Sequence, residues 1–216
     1  YYELAANKNN PEAIINLGNI YMDGLGVEKE YFKAVDYYLK AEKMKYPKSY
    51  IYIGRLYENG IKFKQDYIKA KDYYELAIKN NVFEGFFYLG KLYENGFGVR
   101  KNISFAKQLF QIAADKKHSQ SLITLAKHHL YESNFTKAIE CYELAAEQNN
   151  PKAFLYLGNF YMTGFIVEKN ITKAKNLYEL AAQQNDSEAL NNLGIFYLNG
   201  YGVVTDIPKA KKYFVK

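Results

Sequence analysis

The chain has 216 residues, nearly half of them apolar, a net charge of +6 and a single cysteine. That is enough to bury a core, while Cys141 alone excludes an internal disulfide framework, no run nears the roughly 20 apolar residues that span a bilayer, and no signal-peptide pattern opens the chain. Lysine is scattered singly, with short groups only at Lys116-Lys117 and Lys209 to Lys212, which describes a solvated surface of an ordered, soluble protein, the cytoplasm being favoured, rather than a nucleic-acid tract.

Aromatic residues make up 17% of the chain, all Tyr or Phe and none Trp, so a systematic use of aromatic side chains is expected. In chain order, YYELAA at the start reads as the end of a preceding helix over residues 1–10, because near copies recur internally as helix ends, and it implies a missing native start. Pro11 then opens a first helix in which Ala13, Ile14, Leu17, Ile20 and Tyr21 fall at helical spacing. A second helix carries Ala34, Tyr37, Tyr38 and Ala41 in the same way. Between them stands LGNIYMDGLGV from Leu17, and the phrase returns as IGRLYENGIKF, LGKLYENGFGV, LGNFYMTGFIV and LGIFYLNGYGV from Ile53, Leu89, Leu157 and Leu193.

Its second residue falls at Gly18, Gly54, Gly90, Ala126, Gly158 and Gly194, spaced 36, 36, 36, 32 and 36. This is an internal repeat in six copies, near 11–46, 47–82, 83–118, 119–150, 151–186 and 187–216, with a four-residue deletion in the fourth. Pro11, Pro47 and Pro151 stand at the start of first helices, and Pro208 at the start of the last second helix. The glycines have architectural readings. Those of the Gly18 column are expected opposite the small Ala of the second helix, where two backbones approach, and those of the Gly24 column end the first helix. A helix pair of this length cannot bury its apolar face alone, so the pairs must stack.

The phrase A-x-x-x-L-G-x-x-Y-x-x-G-x-G-V, followed by K-A-x-x-Y-Y-x-x-A-A, resembles the Sel-1-like repeat, a relative of the tetratricopeptide repeat. The resemblance covers essentially the whole chain and implies an all-α, right-handed superhelix, one solenoid over residues 1–216. It implies a non-enzymatic scaffold or adaptor for other proteins, commonly in signalling, membrane-associated quality control or bacterial contact with host cells. Repeat four departs from the pattern: Ala126 replaces Gly, His129 replaces Tyr, and ESNF from Glu132 replaces the glycine loop.

If each first helix is numbered from Pro11 and its equivalents, positions 3, 4, 7, 8, 10 and 11 fall on one arc, and positions 2, 5, 9, 12 and 13 on the opposite one. In tetratricopeptide-like arrays that second arc lines the concave groove, so a partner segment is expected there across repeats two to five. Position 5 offers Ile51, Phe87, Ile123 and Leu155 as an apolar floor, with Phe87 at the centre; the alternative is that these side chains pack at the edge of the core. Position 9 offers Arg55, Lys91 and Lys127 for a carboxylate or an acidic peptide. Position 12 offers Glu58, Glu94 and Met162 as walls, and the two glutamates can also pair with Arg55 and Lys91 one turn away. The open apolar end at Tyr213 to Lys216 allows self-association.

Ser104-Phe105-Ala106-Lys107 fits the S-x-x-K pattern of penicillin-binding enzymes, to which some Sel-1-like proteins have been linked. Repeats two and five place I-K-A-K and T-K-A-K at that point, and no K-T-G companion exists. His118, His128, His129 and Cys141 read as packing variants, so no metal, cofactor or catalytic residue is expected. A sequence-reading RNA-binding helical repeat is the rival from another class, but position 5 is mainly aliphatic where such proteins read bases with polar side chains.

Overall fold

A computed structural model describes residues 2–215 and leaves Tyr1 and Lys216 outside. Among the described residues the secondary structure is entirely helical, with thirteen helices. The chain divides into two compact units, residues 1–118 and 119–216. The first holds α1 (Tyr2–Asn7), α2 (Pro11–Asp23), α3 (Tyr31–Lys43), α4 (Ser49–Asn59), α5 (Tyr67–Lys79), α6 (Glu84–Asn95) and α7 (Ile103–Asp115). The second holds α8 (Ser119–Tyr131), α9 (Phe135–Glu147), α10 (Pro151–Thr163), α11 (Ile171–Gln183), α12 (Ser187–Asn199) and α13 (Ile207–Phe214). Each repeat is a hairpin, and within a unit the second helix of one hairpin packs on the first helix of the next, as α3 does on α4 and α9 on α10. This is the all-α solenoid class.

The helix starts follow from local chemistry. Asn10, Asn102, Asn150 and Asp186 each accept a backbone N–H of the first turn through their side chains. Repeats two and three lack such a cap at Lys48 and Phe83, so α4 starts at Ser49 and α6 at Glu84, one or two residues later than the repeat numbering places them. Ahead of α4 the Ser49 N–H donates to the Tyr46 carbonyl. The first helices of all repeats but the fourth end on a left-handed glycine; at Gly96, φ is 79° and the N–H donates to the Leu92 carbonyl at 2.8 Å.

The glycines inside the first helices have a different neighbour from the one expected. A Cβ on Gly54 would stand 2.5 Å from the Tyr74 ring, and Gly18, Gly90 and Gly158 meet Tyr38, Phe110 and Tyr178 in the same way. They make room for a buried aromatic ring rather than for the alanine of the second helix. The rings of Tyr38, Tyr74, Phe110, Tyr142 and Tyr178 are the largest parts of the core, with the alanines of the second helices, such as Ala70 and Ala77, fully buried beside them.

Candidate functional site

The face opposite the core of the first helices differs from the expected arc by one residue column. Ile51, Ile123 and Leu155 at position 5 are 1%, 1% and 0% exposed, so the apolar floor lies beneath the surface and serves packing. Phe87 is half-buried, its ring 5.8 Å from that of Phe110 and 4.9 Å from that of His118. What reaches the surface instead is position 6, where Tyr52, Tyr88 and Tyr156 are half-exposed. Position 6 lies only about 20° beyond position 13 on a helical wheel, while position 5 sits only about 20° inside the arc from its other edge at position 12. The repetition of Tyr in that column was the available signal.

These tyrosines pack on the buried rings of the preceding second helix, the first two stacked and Tyr156 tilted. Tyr52 lies 4.8 Å from Tyr38, Tyr88 5.2 Å from Tyr74, and Tyr156 5.0 Å from Tyr142. The cations of position 9 complete the layer. The Arg55 guanidinium stands 5.7 Å from the Tyr88 centroid and the Lys127 ammonium 5.2 Å from that of Tyr156. Burial pushes the Tyr88 hydroxyl up to about 12, although the Arg55 charge pulls it down. Burial and the neighbouring Glu58 carboxylate push the Tyr74 hydroxyl up further.

The remaining predicted residues are engaged inside the chain. The Tyr74 hydroxyl donates to Glu58, and Lys91 is ion-paired with Glu94. Arg55, Glu58, Lys91 and Glu94 belong to the unit of residues 1–118, whereas Ile123, Lys127, Leu155 and half-buried Met162 belong to that of 119–216. In the first unit a surface pocket of about 90 Å³ is lined by Asn19, Met22, Tyr38, Tyr52 and Arg55. Its polar edge is fixed by the Tyr38 hydroxyl, which donates to Asn19 Oδ1 at 2.8 Å, while Asn19 Nδ2 donates to the Tyr52 oxygen at 3.3 Å.

Ser104 is exposed on the first turn of α7, next to Phe105, whose ring meets that of Tyr93 edge-on. His129 Nδ1 lies 3.7 Å from Glu132, and burial lowers the pKa of His118 and raises that of Cys141. Among the described residues no three His, Cys, Asp or Glu side chains converge as metal ligands, and no helix is long and apolar enough to cross a membrane.

The Sel1 repeat profile matches residues 11–46, 47–82, 87–118, 129–150, 151–186 and 187–216. Among solved structures, a Sel1 repeat protein from Oxalobacter formigenes is 26% identical with a TM-score of 0.78, over 95% of this chain and 86% of that one. A protective antigen of uropathogenic Escherichia coli with an SLR fold is also 26% identical, with a TM-score of 0.69 over 99% of this chain. The chain spans 47% of that antigen, about half its length. An immunity protein from Pseudomonas aeruginosa, 20% identical with a TM-score of 0.74 over 95% of this chain and 80% of its own, shares the fold. No curated protein is significantly similar in sequence. Sel1 repeat proteins generally mediate protein–protein interaction on a scaffold that is generally non-catalytic. With six matches along its length, the chain belongs to the Sel1 repeat family.

Proposed function

We propose that the chain is a non-enzymatic interaction module that binds an acidic segment of a partner protein on the face of its first helices. The observation that carries this reading is the layered arrangement of cation on tyrosine on tyrosine, Arg55 over Tyr88 and Tyr74 in one unit and Lys127 over Tyr156 and Tyr142 in the other. Each layer places a positive charge over an aromatic platform at the surface, where it can meet a carboxylate. Aromatic platforms of this kind suit protein interfaces because they combine large contact area with a polar tip. The position 6 rings are already engaged by the chain's own rings and cations, which favours a charged segment over stacked bases.

The test is affinity capture from source-cell lysate with the wild-type chain and with an Arg55→Glu, Lys127→Glu double variant, each with and without nuclease. A protein retained by the wild type, lost by the variant and indifferent to nuclease is the expected result. Equal retention by both baits places the partner on another surface, and loss with nuclease brings the nucleic-acid reading forward.

A further inference from the structure

The repeats present one buried hydroxyl in several settings. In repeat two the Tyr74 hydroxyl donates to the Glu58 carboxylate, beside the cation of Arg55. In repeats one and five the hydroxyls of Tyr38 and Tyr178 donate to Asn19 and Asn159 at 2.8 and 2.7 Å. Repeat four keeps the tyrosine, Tyr142, but has Lys127 where repeats one and five have asparagine, and Leu130 where repeat two has Glu58. Tyr142 is 0% exposed, and its hydroxyl has no hydrogen-bond partner among the described residues.

A buried hydroxyl without a partner is costly, and native structures rarely keep one without a use for it. Here the paired rings and the overlying cation are those of repeat two, while the acid is missing and Ala126, Lys127 and His129 stand where repeat two has Gly54, Arg55 and Tyr57. The Tyr142 ring meets Tyr156 at 5.0 Å with a 34° tilt, close to the 5.2 Å and 23° between Tyr74 and Tyr88. The Lys127 ammonium stands over Tyr156 as the Arg55 guanidinium stands over Tyr88, and it has no carboxylate within ion-pair distance among the described residues. The hydroxyl lies beneath the surface, and exposed Lys127, with its flexible stem, is the side of the site that can move aside.

We propose that Tyr142, Lys127 and Tyr156 form a seat for the carboxylate of a glutamate or aspartate side chain on a partner protein. The incoming acid takes the role that Glu58 fills in repeat two, accepting from the Tyr142 hydroxyl and the Lys127 ammonium while Leu130 packs on its stem. A carboxylate is favoured over a phosphate because repeat two already accommodates one in the equivalent setting. This deepens the proposed function and rests on it for its biological role, but the seat itself is testable without any partner.

Protein with labelled tyrosine rings is titrated by NMR with N-acetylglutamate amide, its glutamine counterpart and inorganic phosphate. The expected result is saturable shifts at Tyr142 and Tyr156 with the glutamate compound and none with the other two. Lys127→Gln should weaken binding by about tenfold or more, and Tyr142→Phe by about threefold to tenfold. The phenylalanine is expected to fold, since Phe110 holds the same place in repeat three. Leu130→Glu supplies the acid from within the chain, and it should move the Tyr142 resonances towards their bound values and abolish the response to the probe. Equal response to glutamine, tighter binding of phosphate, no response in the wild type, or unchanged affinity in Tyr142→Phe overturns the seat. A partner captured from lysate by a chain that ignores the glutamate probe overturns the seat and leaves the interaction module standing; a seat that binds the probe in a chain that captures nothing does the reverse.

Discussion

The first-helix faces of the two units use one scaffold and differ in where the acid comes from. In residues 1–118 the chain supplies it: Glu58 accepts from Tyr74, and Glu94 pairs with Lys91. In residues 119–216, Lys152 is paired with Asp186 at 3.1 Å and Glu188 at 3.0 Å, but the column of Lys127 and Tyr142 has no acid of its own. The difference traces to two residues of repeat four, Leu130 and Lys127, in the repeat that also lost the glycine loop. Repetition fixes a scaffold; departures from it are where a single repeat becomes able to recognise something.

The comparison can be broken most forcefully at the helix contact. Gly54→Ala puts a methyl 2.5 Å from the Tyr74 ring and is expected to cost about 2–3 kcal/mol in urea unfolding. Ala126 already carries that methyl in the other unit, so Ala126→Gly should change stability by less than about 1 kcal/mol beyond its loss of helix propensity. Equal effects at the two sites would mean that the aromatic ring is not what excludes the side chain.

The next effect tests the acid directly. Glu58→Ala leaves the Tyr74 hydroxyl without its acceptor and should cost about 1–2 kcal/mol, whereas Leu130→Ala removes no acceptor and should cost only its packing. Parallel urea titrations read both, and a neutral Glu58→Ala would dissolve the distinction between the units.

Smaller still is the difference in how second helices end. Lys45 and Lys117 hold φ of 55° and 62° in the first unit, beside Asn81 at 62°, where the second unit places Asn149 and Asn185 at 58° and 60°. Asparagine tolerates the left-handed region better than lysine does. Lys117→Gly should therefore stabilise by about 0.5–1 kcal/mol, and Asn185→Gly by less.

Acidification gives the smallest signal, again one-sided. Burial lowers the His118 pKa below its ordinary 6.5, so the unfolded chain takes up the proton first, and stability falls as pH drops from about 6.5 towards the folded-state value. Glu84 has the opposite sign: burial raises its pKa above 4.5, so the folded chain binds the extra proton, and acidification through that window favours folding. A His118→Gln variant should flatten the first loss and leave the second effect in place, as followed by urea midpoints across the pH range.

Much of the fold was legible because period, prolines and caps are local signals that each repeat states again. Pro11 and Pro151 mark helix starts, and Gly24, Gly60, Gly96, Gly164 and Gly200 helix ends, within their own copies. The face was legible only in part. Numbering at 100° per residue treats a first helix as if it met one neighbour, but within a unit it packs on both its own second helix and the preceding one, as α4 does on α5 and α3 and α10 on α11 and α9, which draws Ile51 and Leu155 under the surface and turns Tyr52 and Tyr156 outward. The Gly18 column was read as a place for close backbones because glycine and alanine are both small. The actual neighbour, a tyrosine or phenylalanine ring, lies about 20 residues further along the chain, and no local signal specifies which side chain fills that space.

The most direct measurement is affinity capture with the single variants Lys127→Glu and Arg55→Glu, side by side with wild type. The account predicts that Lys127→Glu loses the partner, while Arg55→Glu, on the face that already holds its own acids, keeps most of it. Full retention by Lys127→Glu, or loss by Arg55→Glu alone, would contradict the placing of the open carboxylate seat in repeat four.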